Sequence, residues 1–455
     1  MKKIPFAVGT TSARNKKANN ETLINLFPET LTPASKNQVV LMGTPGFTTL
    51  LTLPTYPILG THIFQNELYA VTPTKAYKIE SDDTVTEIGT VVFDSSKKVS
   101  TANNGTQLVF CQSASYIYEP DGSPTFQEIT DEDYEDSVTV DFQDGYFIWQ
   151  KEESGQFFIS DLYSTDIDPL EFATAEGNPD DIEGLKVVHR QLWIFGKKST
   201  EVWFNSGNAD FPFEKIQGSF SEKGCRNRDT ITTINNTIMY VGDDGIVYMI
   251  NGYSPSRVSN EAVEYKIAKS ASSTLSAFEC SAEGHIFYHL NVGDETIVYD
   301  VKTQTWHNRK SKAIDRWRIN SIQSVYELKY GFDYENGKVY LLSLDTTTED
   351  GEVITREAIT SPLHNNNEFF TVSAVQLDME TGLSAIGEDD KITLEYSRNG
   401  GVSWSNKKTS TIGKQGEFTR RVIWRRLGRH RDISFRIQTL TKTQIRLISL
   451  GAKVR

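Results

Sequence analysis

The sequence predicts an all-β chain: a β-propeller of about six blades, preceded by an extended arm and followed by a further β module. Three observations carry this reading. They are a strand signal that recurs along most of the chain, an aromatic-rich composition, and a charge asymmetry near the C-terminal end.

The recurring signal is a run of four apolar residues, usually followed by a turn and a second, aromatic strand. It appears as Leu68-Tyr69-Ala70-Val71, Leu108-Val109-Phe110-Cys111, Tyr146-Phe147-Ile148-Trp149, Leu192-Trp193-Ile194-Phe195, Ile238-Met239-Tyr240-Val241, Ile286-Phe287-Tyr288-His289 and Val339-Tyr340-Leu341-Leu342. The first residues of these runs lie 40, 38, 46, 46, 48 and 53 positions apart. Second strands follow at Tyr116-Ile117-Tyr118, Phe157-Phe158-Ile159, Val202-Trp203-Phe204, Ile246-Val247-Tyr248 and Ile297-Val298-Tyr299. A continuous apolar run, unlike strict alternation, implies that both faces of the strand are covered, as in four-stranded sheets stacked radially about an axis. The spacing matches propeller blades. No WD or kelch signature is present, and a series of stacked β-sandwiches is the competing architecture.

Along the chain, residues 1–54 are polar and turn-rich and read as an extended arm docking on the body. Residues 55–365 hold the propeller repeats, and residues 366–455 form a basic C-terminal β module. In that module Ile433, Phe435 and Ile437 alternate with Ser434, Arg436 and Gln438, the pattern of a half-buried strand. Asn399-Gly400-Gly401 is a tight turn of residues that tolerate positive φ.

Composition agrees. The 455 residues include 24 Phe, 19 Tyr and 7 Trp against 5 Met and 14 Pro, which favours strands packed through aromatic faces over a helical bundle. Mean hydropathy is −0.42. No apolar run approaches the ~20 residues of a membrane helix, and Met1-Lys2-Lys3-Ile4-Pro5-Phe6 turns polar too soon for a signal peptide, so no stable membrane insertion is expected. Cys111, Cys225 and Cys280 are far apart and form no C-x-x-C pair, which suits folding in a reducing cytoplasm. Net charge is −13, but residues 391–455 carry 16 Lys/Arg against 3 Asp/Glu while the preceding 390 residues carry 31 against 57. Two parts with different electrostatic neighbours are implied.

Chemistry is sparse. His285 and His289 would lie ~13 Å apart on a strand, too far to share a metal. His62, His189, His307, His364 and His430 are isolated, and no G-x-S-x-G, Walker or H-E-x-x-H pattern occurs. The acidic run Asp131-Glu132-Asp133-Tyr134-Glu135-Asp136 lacks the alternating ligands and central Gly of an EF-hand and reads as a solvated loop between blades. Asp243-Asp244-Gly245 reads as a hairpin turn. Neither a cofactor, a metal nor a catalytic set is expected.

Ser397-Arg398-Asn399-Gly400-Gly401-Val402-Ser403-Trp404 resembles the Asp-box hairpin of sialidases, with Asn in the Asp position. That box is structural, and it keeps open the alternative of a carbohydrate-binding or glycoside-cleaving propeller. A longer set of segments begins with Asn25-Leu26-Phe27-Pro28-Glu29 and Gly43-Thr44-Pro45-Gly46-Phe47, and continues with Gly242–Tyr248 running into Gly252-Tyr253-Ser254-Pro255-Ser256-Arg257-Val258-Ser259. It closes with Asp350–Ile354, Ser361–His364, Leu377–Gly382 and the basic strand Arg421–Arg429. In this order the set resembles the tail-hub (nozzle) or packaged DNA stabilisation family of short-tailed bacteriophages. The resemblance implies a non-enzymatic virion tail component: a propeller with a β platform, assembled as a hexameric ring below the portal and its adaptor or head-completion ring. Fibres, spikes or needle would attach to it, and genomic DNA would pass through its lumen without sequence-specific binding. A mostly acidic body suits that passage, because it repels phosphates where a basic lining would hold them through counterion release.

The basic stretch also carries an expectation about contacts. By two-residue periodicity Arg420, Val422, Trp424 and Arg426 share one face, and Arg421, Ile423 and Arg425 the other. Apolar centres with charged margins suit a strand that crosses a buried layer and meets acidic neighbours. Arg420, Arg421, Trp424, Arg425, Arg426, Arg429 and Arg431 are therefore the expected subunit or adaptor interface, with a solvated surface and a DNA contact as the alternatives.

Overall fold

Six of the seven apolar runs become the second strands of blades whose sheets cover one another on both faces. A computed structural model describes residues 1–12, 15–175, 177–366 and 368–455. Five strands occupy the N-terminal segment: β1 (Lys2–Ile4), β2 (Thr22–Ile24), β3 (Leu26–Thr30), β4 (Val39–Gly43) and β5 (Gly46–Thr52). Antiparallel four-stranded blades follow over residues 60–90, 100–128, 137–174, 182–215, 232–257 and 275–309. A seventh is built from Ile319–Val325, Leu328–Asp333 and Lys338–Ser343, with β5 as its fourth strand. The count is thus seven where the spacing suggests about six. The reason lies in the last unit: its second strand reads Leu328-Lys329-Tyr330-Gly331-Phe332-Asp333, so Gly331 breaks the apolar run, and Val339–Leu342 belongs to its third strand.

Closure of the propeller therefore depends on residues separated by almost 290 positions. Lys338–Ser343 pairs antiparallel with β5, from Lys338 opposite Thr52 to Ser343 opposite Gly46. Phe47 enters the blade core beside Tyr340, the ring centroids 4.3 Å apart.

Between blades the layers are aromatic. Phe195 meets Tyr240 at 4.9 Å across the gap between the fourth and fifth blades, and within the third blade Trp149 stacks on its cross-strand partner Phe158 at 5.7 Å. A short helix, α1 (Glu261–Lys269), follows the fifth blade; the Asn260 side chain accepts from the Val263 N–H and caps it, and Val263 and Ile267 enter the core.

Residues from 356 onward form two packed sheets, whose common core includes Val375, Leu394, Val422, Ile433, Phe435, Ile437 and Leu450. One sheet runs β3, β4, Arg446–Val454, Phe370–Met379, Val422–His430, and β1 pairs with Arg446–Val454. The other continues the sixth blade without a break: Thr305–Arg309 pairs with β2, β2 with Arg356–Ile359, then come Asp432–Thr439, Lys391–Ser397 and Lys408–Thr411. The N-terminal segment thus joins both units. As the alternation predicts, Ile433, Phe435 and Ile437 are buried.

The interface between the sixth and seventh blades contains histidines rather than only apolar rings. His289 stacks on Phe278 at 4.8 Å and on Trp317 at 5.1 Å, and His307 packs against Phe287. Burial, with the Arg309 charge adding to it, holds His289 well below the usual imidazole range; burial also brings His307 down to about 3. Folded, both are neutral at pH 5 to 7, whereas unfolded imidazoles take up protons below about 6.5. The unfolded state gains protons as pH falls, so stability is full above about pH 6.5 and declines below it, by up to about 1.4 kcal/mol per histidine per pH unit. Urea midpoints are therefore expected to be lower at pH 5 than at pH 7, with a shallower pH slope in His307→Gln. An unchanged slope in that variant counts against the assignment.

Candidate assembly surface

In strand order, Val422–His430 is the edge of its sheet farthest from the propeller: it pairs with Phe370–Met379 on one side and its other backbone edge has no strand partner among the described residues. Alternation holds from Val422 to Arg425 and then breaks. Ala374 faces Arg425 while Val372 faces Gly428, so the edge strand carries one extra residue, a β-bulge, with Arg426 at φ 59° and Gly428 at φ 96°. The bulge resets the faces. Val422, Trp424, Leu427 and His430 turn inward, and Arg425, Arg426 and Arg429 all turn outward. Arg426 consequently does not share a face with Trp424 as simple periodicity predicts. Trp424 is only 3% exposed and belongs to the sandwich core, so its side chain is not available at the surface.

The remaining expected residues are exposed and form one basic margin. Arg420 and Arg421 lead into the strand, and Arg421 donates to Gln376 Oε1 at 2.9 Å. Arg429 and Arg431 lie over the half-exposed ring of Phe369 at 4.8 and 4.5 Å. Among the described residues none of these six arginines has an ion-pair partner. Elsewhere in the sandwich Arg436 pairs with Glu395 at 2.7 Å and Arg446 with Glu380 at 3.0 Å. Phe369 is the residue that sequence reasoning missed. Its signal is the doublet Phe369-Phe370, since only one of two adjacent strand residues can face the core.

The motif segments prove to be joints. Asn25, at φ 53°, donates through Nδ2 to the carbonyls of Lys310 and Thr355 at 2.9 and 2.8 Å, linking the sixth blade to the start of the sandwich. Pro28 is buried and Glu29 half-buried in β3. The turn at Thr44, Pro45 and Gly46 is held by two buried guanidiniums: Arg309 Nη2 donates to Pro45 O at 2.9 Å and Arg356 Nη2 to Thr44 O at 3.3 Å. At Gly46 the chain passes so near Thr348 that an added Cβ would lie 2.0 Å from its carbonyl oxygen. Gly46→Ala is expected to cost about 1–3 kcal/mol, seen as a lower denaturant midpoint at unchanged slope. Gly252, at φ 62°, makes the turn before Tyr253, whose hydroxyl accepts from Gln191 Nε2 at 2.8 Å and ties the fifth blade to the fourth. Ser254 and Pro255 open the outer strand of that fifth blade.

Two of the groups that the sequence singles out are closed upon themselves. His285 Nδ1 and Asp300 Oδ2 are 2.7 Å apart and fully buried within the sixth blade. Asn399 accepts from Ser403 N at 2.9 Å, and Ser397 Oγ accepts from Gly401 N at 2.8 Å, so the Asp-box-like hairpin satisfies its own polar groups. Among the described residues no group of three or more His, Cys, Asp or Glu side chains could hold a metal ion, and no helix is long and apolar enough to cross a membrane.

No curated protein sequence matches the chain. Solved structures similar to it include BamB from Moraxella catarrhalis, at 12% identity and TM-score 0.43, covering 71% of this chain and 98% of that one. The extracellular domain of the putative one-component system BT4673 from B. thetaiotaomicron is 8% identical, with TM-score 0.46, covering 76% of this chain and 43% of that one. Two family models match nearly end to end: the β-propeller of bacteriophage P22 Gp10 over residues 2–347 and its β-sandwich over residues 355–455. With both units accounted for in order, the chain belongs to the bacteriophage P22 Gp10 family, phage tail structural proteins that stabilise packaged DNA.

Proposed function

We propose that this chain is a ring-forming hub, or nozzle, of a short phage tail, folded in the host cytoplasm and assembled into the virion as six copies. The ring continues the DNA channel below the portal and its adaptor, retains the packaged genome, and anchors the distal fibres, spike or needle. It acts mechanically rather than as an enzyme. Family membership supports the virion role. The observation that carries the assembly reading is the row of exposed, unpaired arginines on an open strand edge of an otherwise acidic chain.

The bland account of such an edge is protection against aggregation, for which a bulge and a single charge suffice. Six arginines without counter-charges go beyond that need, because they repel one another. A carboxylate-bearing neighbour relieves the repulsion through bidentate charge-assisted bonds, each worth about 1.5–3 kcal/mol. The acidic portion of a second copy supplies that chemistry.

Virions produced without this chain are expected to fill their heads and then lose DNA, and purified protein added to them should restore retention. The free protein should have the native mass of a monomer and form a ring on adaptor-bearing heads. Heads that keep their DNA equally well with and without the chain would overturn the proposal.

A further inference from the structure

Where the sixth and seventh blades meet the Thr44-Pro45 turn there is a cavity of about 410 Å³. Phe27, Phe287, Leu341 and Leu344 contribute apolar walls, and His289, His307 and Arg309 also line it. The polar lining is under-used: His289 Nδ1, His307 Nδ1 and Arg309 Nε are buried and have no hydrogen-bond partner among the described residues. Arg309 is 5% exposed and lies over the Trp317 ring at 3.5 Å, and one of its nitrogens bonds the Pro45 carbonyl. Among the described residues no carboxylate reaches its guanidinium at ion-pair distance.

Inside the site Arg309 and the similarly buried Arg356 share the field of a single buried carboxylate, Glu349, which itself accepts from Trp317 Nε1 at 3.0 Å. Both histidines are neutral, so among the described buried groups here two guanidiniums face one carboxylate, and the remaining carboxylates lie exposed at the rim. A buried guanidinium is costly unless an anion accompanies it. The rim narrows the choice of anion, because exposed Glu283, Glu327 and Asp345 line the cavity against a single cation there, Lys329, and disfavour a multiply charged group.

We propose that this cavity binds an amphipathic monocarboxylate, its carboxylate on Arg309 and its aliphatic body against the apolar walls, the carboxylate being either that of a free acid or the terminus of a peptide chain.

Titration calorimetry on the full chain tests this with hexanoate, hexanamide, inorganic phosphate, and acetyl-Leu-Ala-Leu with a free or an amidated C-terminus. Saturable 1:1 binding of hexanoate or of the free-acid peptide is expected, with each amide weaker by about tenfold or more. Whichever carboxylate binds more tightly identifies the source as free or chain-borne. Leu344→Trp, at an exposed wall position, should fill the site and weaken binding by about tenfold while leaving the unfolding midpoint in place. Arg309→Gln should abolish the preference for acid over amide. Equal binding of acid and amide, tighter binding of phosphate than of either carboxylate, or no saturation by about 10 mM would each overturn the proposal.

Discussion

A chain lacking residues 1–52 is expected to yield no cooperatively folding protein. That segment supplies β5, the strand completing the seventh blade, and it also supplies β1, β3 and β4 to one sheet of the sandwich. Without β5 the propeller is left open between its first and last blades, and every blade depends on neighbours to bury its faces. A milder version isolates one contact. Phe47 is 1% exposed, and Phe47→Ala should cost about 3–5 kcal/mol, a large share of the ~5–15 kcal/mol that a typical folded domain holds in reserve. Circular dichroism and urea unfolding read both variants. A truncated chain that melts in one sharp transition near the full-length midpoint would show that closure by β5 is dispensable.

Replacing Arg425 and Arg426 with Glu should leave the monomer folded and stop tail assembly. Both side chains are exposed, project on the outward side of the bulge and form no ion pair among the described residues, so their loss removes no internal contact. Surface charges of this kind change stability by about 1 kcal/mol or less. Against a carboxylate-bearing partner the same substitutions turn attraction into repulsion at two adjacent points, and infectious titre should fall by orders of magnitude. Salt should weaken the wild-type contact, given a screening length of about 8–10 Å. Normal titres from the double variant with an unchanged melting temperature would make the arginines edge protection alone.

Much of the fold is legible because blades impose a simple rule: strands covered on both faces need uninterrupted apolar runs, and six of the seven recurring runs are second strands of blades. The seventh blade escapes the rule at Gly331, and its closing strand lies almost 290 residues away, beyond the reach of any local pattern. At the arginine strand, residue type and position were readable but orientation was not. A one-residue bulge reverses the alternation after Arg425, and that reversal comes from positive φ at Arg426 and Gly428, of which only the glycine gives a sequence hint. The joints at Asn25, Pro45 and Gly46 stand out as motif residues, yet their partners Arg309 and Arg356 carry no local signature, because what defines them is burial against a distant turn.

The pairing of strands more than 400 positions apart in one sheet sets a timetable for synthesis. Lys2 lies opposite Ala452 and Leu41 opposite Leu447, so β1 and the outer edge of β4 must wait for Arg446–Val454 to be made before they pair. At about 5–20 residues per second the delay is on the order of a minute, far longer than collapse or hairpin formation requires. During that interval β3 and β4 can pair with each other, but β1 and the second edge of β4 have no partner. A ribosome that stops early leaves a product that cannot complete its platform, and such a fragment is a substrate for proteolysis before it can compete for a place in a virion.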